Sequence, residues 1–349
     1  MIAAAVAGFI KSAYVLGAAM GATSLLTWAE RKQSAMMQDR IGANRASVLG
    51  VRALGLFHII TDAVKTIAKE DYIPPFADKM LFWLAPLVAG VAAGIGFVVV
   101  PFGPTISVLG MDVPLVIARS EIGMLVLLGA LGLSIYGSFL GGAASGNKWA
   151  YLGAMRAGAQ MAAYEVALGL SLVGVFMVHG TLDLVRIADA QQGSLLNWGV
   201  FAQPLGFLLF FTAAAAETKR APFDVPEGES EIIGYFVEYS GMKFGVFFMA
   251  ELLETILFSA VIAVLFFGGW HLPGIEYAAL PWWLALVVSQ AVWWGKVATG
   301  CWLFLLIRWT LPRFRYDQLL DLGWKWLLPL ALANILLTGA LIVWRGGGS

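Results

Sequence analysis

Apolar residues run almost unbroken from Ile2 to Trp28, and further apolar runs follow at about 80–101, 116–140, 158–178, 200–217, 240–268, 280–307 and 324–344. Each has roughly the length of a helix crossing a hydrocarbon core of about 30 Å. The run at 200–217 is short and leads straight into a segment crowded with acids. The pattern predicts an all-α integral membrane protein with eight transmembrane helices, residues 1–349 forming a single membrane domain.

Between residues 29 and 79 the pattern becomes amphipathic. His58, Asp62, Lys65 and Lys69 repeat along one helical stripe, and Phe57, Ile60, Val64 and Ile67 along the opposite one. This spacing predicts an amphipathic helix over about 45–70, lying in the membrane interface within the first inner loop. Packing on a soluble partner would produce the same stripe. Pro74 and Pro75 close the connection before the second span.

Charge orients the spans. With Lys243 and Lys325 counted at span edges, the first, third, fifth and seventh connections hold eight, two, three and four Lys/Arg. The even connections hold only Arg186. Basic residues stay on the cytoplasmic or matrix side during insertion, so the odd loops are expected inside and both termini outside. The start, "MIAAAVAGFIKSAYVLGAAM", lacks the basic opening of a cleaved signal and reads as the first span.

Composition narrows the chemistry. The chain is 60% hydrophobic and 13% charged, against about 25% charged in soluble domains. Zero net charge argues against a nucleic-acid partner. The single Cys301 and the scattered His58, His179 and His271 supply no disulfide, zinc or iron–sulfur site. Neither GxGxxG nor GxxxxGK[ST] occurs, so a nucleotide site is not expected and any redox cofactor belongs on a partner. Ala/Gly richness points to a bacterial inner membrane rather than a mitochondrial one.

Against this apolar background, "ETKRAPFDVPEGESEIIGYFVEYSG" (Glu217–Gly241) gathers Glu217, Asp224, Glu227, Glu229, Glu231 and Glu238. Pro222 and Pro226 should interrupt regular helix. Asp224-x-x-Glu227 then resembles a capping box, predicting a restarted helix with Glu227, Glu231 and Glu238 on one face. Glu251 and Glu254 continue into the next apolar run, Glu165 lies inside the fourth span, and Glu121 opens the third. Lys296, inside the seventh, calls for a carboxylate partner or a wet cavity. Ionisable groups at membrane depth are costly and mark ion or proton paths. Solvated acids at a helix start are the plainer alternative.

Four segments carry a resemblance: "AERKQSAMMQDRIGANR" (Ala29–Arg45), "GAMRAGAQMAAYEV" (Gly153–Val166), the acidic segment, and "RWTLPRFRYDQLLDLGWKWLLPL" (Arg308–Leu330). Together they closely resemble the H subunit of proton-pumping NADH:quinone oxidoreductase, equivalent to subunit 1 of mitochondrial NADH dehydrogenase. The resemblance implies an eight-span subunit that forms much of the quinone cavity beneath the peripheral arm. It implies coupling of quinone reduction to proton translocation through buried carboxylates. Flavin and iron–sulfur clusters would sit on partner subunits, with none bound by this chain. The partners implied are peripheral-arm quinone-module subunits, small membrane subunits, membrane lipid and quinone.

By matching motif, Glu30, Arg31, Gln38, Arg40, Phe223, Asp224 and Glu229 would lie at the quinone cavity and peripheral-arm contact. Glu165, Glu217, Glu227, Glu231, Glu238, Asp62 and Lys296 would belong to the proton path. Arg313, Arg315 and Asp317 would be structural or docking residues. Gly42-Ala43-Asn44 stands where the family has Gly-Pro-Asn, and "KEDYIPP" is looser than its pattern. An energy-converting hydrogenase uses a related subunit, but "VEYSG" and "ERK" favour quinone chemistry. A stand-alone ion transporter would leave the long docking loop and "LPRFRYDQL" without purpose.

Overall fold

Seven helices are long and apolar enough to cross a membrane in the computed structural model, which describes residues 2–48, 50–108, 111–228 and 231–346. In chain order the helices are α1 (Ile2–Met37), α2 (Phe57–Ala68), α3 (Lys79–Gly96), α4 (Gly123–Ala144), α5 (Lys148–His179) and α6 (Leu184–Ala190). They continue with α7 (Gly199–Ala202), α8 (Pro204–Glu217), α9 (Gly241–Phe266), α10 (Trp282–Thr310), α11 (Tyr316–Asp321) and α12 (Leu328–Gly346). A π-helical turn, Leu322–Leu327, joins α11 to α12 into one long span. The strands β1 (Thr105–Val108) and β2 (Met111–Pro114) form a small antiparallel hairpin between α3 and α4.

The eighth apolar run is the exception to the length rule. Its helix α8 has 14 residues, about 21 Å at 1.5 Å per residue. Gln203 leaves helical geometry between α7 and α8 (φ −136°, ψ 61°), and Pro204 lacks the donor that would continue α7. By length alone, therefore, seven helices qualify rather than eight.

Helix α9 is the axis of the molecule. Every residue from Ala250 to Phe266 is buried, and α1, α3, α6 and α10 pack around it. A helix apolar on all sides needs such enclosure, which also means that Glu251 and Glu254 must find partners inside the protein. Around it, small residues bring helices close: Gly137 of α4 abuts Ala89 of α3, and Gly142 abuts Ala150 and Ala154 of α5.

Lys296 of α10 closes the C-terminal end of α9. Its ammonium donates to the carbonyls of Phe267 (2.6 Å) and His271 (2.7 Å) and sits 4.7 Å from the Trp198 ring centroid. The expected carboxylate partner is replaced by backbone oxygens. These carry the negative end of the α9 dipole, where a cation is favoured.

The amphipathic helix is shorter than the stripe predicts. It begins only at Phe57, because Gly50 (φ 83°), Ala53 (φ 41°), Leu54 (φ 55°) and Gly55 (φ 90°) take left-handed conformations that no α-helix accommodates. Its Ile60, Val64 and Ile67 are each more than half exposed. The chain after α2 is tied to α9, where Lys243 meets Asp71 at 2.8 Å and lies 3.9 Å from the Trp83 ring centroid.

The helix restart expected at Asp224 does not form. Residues 218–240 hold turns without a helix among those described. Lys219 (φ 54°), Ile233 (φ 69°) and Gly234 (φ 121°) turn the backbone away from helical geometry, with Pro222 and Pro226 between them. Glu227, Glu231 and Glu238 consequently do not share a face.

Candidate functional site: a buried string of carboxylates

The irregular segment between α8 and α9 is gripped from two elements. Gln160 of α5 donates to the carbonyls of Ala216 (2.8 Å) and Phe223 (2.7 Å). Gly153 of α5 lies so close that a Cβ there would stand 2.8 Å from the Tyr235 nitrogen. From the α10–α11 connection, Arg313 pairs with Asp224 at 2.7 Å, and the Phe314 ring stacks on Phe223 at 5.4 Å between centroids. The "LPRFRYDQL" segment thus serves as a clasp on the acidic segment. Arg315 and Asp317 pair with each other at the surface.

Held this way, the segment gathers charge between α1, α4, α8 and α9. Glu30 of α1 lies between two arginines. Arg220 donates to it at 2.8 Å, and Arg308 of α10 reaches its other carboxylate oxygen. Next to Arg220 stand Glu227 and Glu251, close enough to interact carboxyl to carboxyl. The Tyr235 hydroxyl donates to Glu251 at 2.9 Å. Farther along, Ser134 of α4 donates to Glu254, and Lys219 donates to Ser138 at 2.9 Å. Glu217 lies beside Glu254 and Lys219 in the charge network, with Glu165 of α5 as its next acidic neighbour. Oε2 of Glu217 and Oε2 of Glu254 are buried and meet no hydrogen-bond donor among the described residues.

Glu165 ends the string in a groove of about 470 Å³, lined from α4 by Gly129, Gly132, Leu133, Tyr136 and Phe139. Gly132 makes room for it, since a Cβ there would lie 2.6 Å from Oε1 of Glu165. At the opposite end, a narrow crevice lined by Thr218, Arg220, Thr255, Phe304 and Arg308 runs beside Glu30's arginines.

The other expected residues lie apart from this string. Arg31 pairs with Asp62 of α2 at 2.6 Å, both partly exposed. Arg40 donates to Gln38 at 2.7 Å on the same exposed end of α1. Glu231 is exposed and bound by Arg156 at 2.6 Å, whose hydrogen bond holds its carboxyl below the ordinary range. Glu238 accepts from Asn147 at 2.6 Å, near the start of α5. Glu121 lies loosely beside Arg186 at 3.8 Å. Glu229 falls outside the described residues.

Arg220, Arg308, Lys219, Tyr235, Ser134 and Ser138 emerge only from the fold. One signal was present in the sequence: Lys219-Arg220 follows an apolar helix directly, and cations at such depth require partners. Ser134 and Ser138 carried none, because hydroxyls four apart in an apolar helix ordinarily bond back to the previous turn.

Burial drives the Glu227 carboxyl well above its ordinary range, and the neighbouring Glu251 charge adds to the shift. Above the unfolded value, about 4.3, the folded chain keeps a proton that the unfolded chain has lost. Stability from this group is therefore complete below that pH and drains as pH rises through the folded value. Glu227→Gln removes the titration, so its melting temperature should fall less than the native protein's between neutral and alkaline pH. Parallel falls in thermal melts of the two proteins would contradict the assignment.

A family model described as NADH dehydrogenase matches residues 10–339. The H subunit of the NADH-quinone oxidoreductase from Thermomicrobium roseum is 43% identical, covering 99% of this chain and 98% of its own. Similar proteins with the same name come from Geobacter metallireducens (42% identical, 96% of each chain) and Bdellovibrio bacteriovorus (40% identical, 92% of each chain).

Proposed function

The chain belongs to the NADH dehydrogenase family as a multi-pass membrane subunit of NADH-quinone oxidoreductase, and from that premise we propose how it works. It forms the membrane wall of a quinone cavity and couples quinone reduction to proton translocation through its buried carboxylates. The observation that supports this is the string of Glu227, Glu251, Glu254 and Glu217, buried with Lys219 and Arg220 and leading to the groove at Glu165.

Reducing a quinone to a quinol takes two electrons and two protons. In this reading the electrons come from flavin and iron–sulfur clusters on partner subunits, and the quinone enters beneath α2. The apolar stripe of that helix faces the bilayer. Glu30, Arg31, Gln38, Arg40, Phe223, Asp224 and Glu229 belong to the cavity and the peripheral-arm contact. A carboxylic acid beside the cavity can release a proton to the reduced quinone, and the negative charge it acquires alters the protonation of the next pair. Glu227 with Glu251 forms the receiving pair, Glu254 with Glu217 the deeper one, and Glu165 passes the change to a neighbouring membrane subunit. Glu231 and Glu238 act at the rim. Asp62, tied to Arg31, holds α2, and Lys296 holds α9.

Helices α7 and α8, with the folded acidic segment behind them, complete an eighth pass and leave both termini outside, in a bacterial inner membrane. The test is Glu227→Gln in inverted membrane vesicles, with assembly checked on a native gel. Inhibitor-sensitive NADH:quinone reduction and coupled proton uptake are expected to fall by at least about tenfold, the scale of a lost proton-transfer group. Full retention of both in an assembled complex would contradict the reading.

A further inference from the structure

Lys219 is a cation with 2% of its surface exposed, held in left-handed backbone geometry (φ 54°) at the end of α8. Its ammonium donates to the Ser138 hydroxyl at 2.9 Å and lies 6.0 Å from the Tyr235 ring centroid. Ser138 also neighbours the Tyr235 hydroxyl, which donates to Glu251. One turn along the same face of α4, Ser134 donates to Glu254. Glu217 and Glu254 both count Lys219 among their charged neighbours, and each keeps one buried carboxylate oxygen without a donor among the described residues.

We propose that Lys219 is a positioning residue that joins the two carboxylate pairs. Its ammonium, hung on Ser138 between Tyr235 and the Glu217–Glu254 pair, lets the deeper pair carry one negative charge. Without it, two acids enclosed in an apolar core would both keep their protons, because ionising either would leave an uncompensated charge. With it, the pair can release a proton when the charge on Glu227 and Glu251 changes. Lys219 itself gains and loses nothing.

The inference rests on the coupling function proposed above, and the titratable and charged groups around the ammonium set its pH behaviour. These are Glu217 from α8, Glu251 and Glu254 from α9, Glu165 from α5, and Arg220, Glu227 and Tyr235 from the acidic segment. Helix α4 contributes the two serine hydroxyls.

The experiment compares Lys219→Met, Lys219→Arg and Ser138→Ala in the assembled complex in inverted vesicles, reading proton uptake per NADH across pH. Lys219→Met should lower uptake about tenfold at neutral pH and move the half-maximal point about one unit higher, since removing a cation makes acids hold protons longer. Lys219→Arg should restore most of both. An unshifted profile and native coupling in Lys219→Met would overturn the proposal. If Lys219→Met does not assemble, Ser138→Ala decides: native coupling overturns the bridge, and a loss with a shifted profile supports it. Native coupling in Lys219→Met alongside lost coupling in Glu227→Gln defeats this inference alone. Native coupling in both defeats the function on which it rests.

Discussion

Replacing Arg220 with Leu is expected to reduce the amount of assembled complex several-fold and to eliminate most quinone reduction in what remains. Arg220 is 7% exposed and donates to Glu30 at 2.8 Å, and its positive charge also faces Glu227 and Glu251. Removing one partner of a buried ion pair costs about 3–5 kcal/mol, because the other charge is left unpaired in a low-dielectric site. Arg308 still reaches Glu30, which places the expected loss at the lower end of that range. A several-fold fall in abundance follows from losses of this size. The discriminating variant is the double replacement Arg220→Leu with Glu30→Leu. Removing both charges avoids the orphan, so assembly should recover on a native gel while quinone reduction stays low. If the double variant assembles no better than the single one, the pair is not what holds this region together.

Gly153→Leu should be comparably damaging for a different reason. A Cβ at this position would stand 2.8 Å from the Tyr235 nitrogen, 3.0 Å from the Gly234 carbonyl carbon and 3.1 Å from the Pro226 oxygen. All three are backbone atoms and cannot rotate away, so the acidic segment must move off α5. Overpacking of this kind costs about 1–3 kcal/mol. The larger effect is on geometry, since Tyr235 and Glu227 would move with the segment. A displacement of about 1 Å can cost about a hundredfold in rate. NADH oxidation by ferricyanide, which needs no membrane subunit chemistry, should persist in assembled complex while quinone reduction falls. Gly153→Ala should give the same pattern at smaller amplitude. Equal loss of both activities would indicate failed assembly instead.

The membrane spans were legible because apolar length is the signal, and α1, α3, α4, α5, α9 and α10 lie where the apolar runs fall. Their ends were less so. Helix α1 runs on to Met37 and α5 begins at Lys148, since polar residues can extend a helix beyond the hydrocarbon. The acidic segment defeated periodicity. Helical spacing grouped Glu227, Glu231 and Glu238, but prolines and left-handed residues bend the chain there and send them to three surroundings. Lys296 shows a further limit: a cation inside an apolar run calls for a partner, yet sequence cannot say that the partner is a helix end. The resemblance in four motifs pointed to the acids as a group. The ordering of that group by Arg220, Lys219 and the α4 serines depended on contacts between residues as far apart as Glu30 and Arg220.

The central claim is that quinone reduction changes the protonation of this carboxylate string. The most direct measurement is a redox-induced infrared difference spectrum of the assembled complex, reading the protonated-carboxyl stretch as the bound quinone is reduced. A carboxyl band that changes on reduction in the native complex and is missing or displaced in Glu227→Gln is the predicted result. Identical carboxyl bands in the two proteins, with quinone reduced in both, would contradict it.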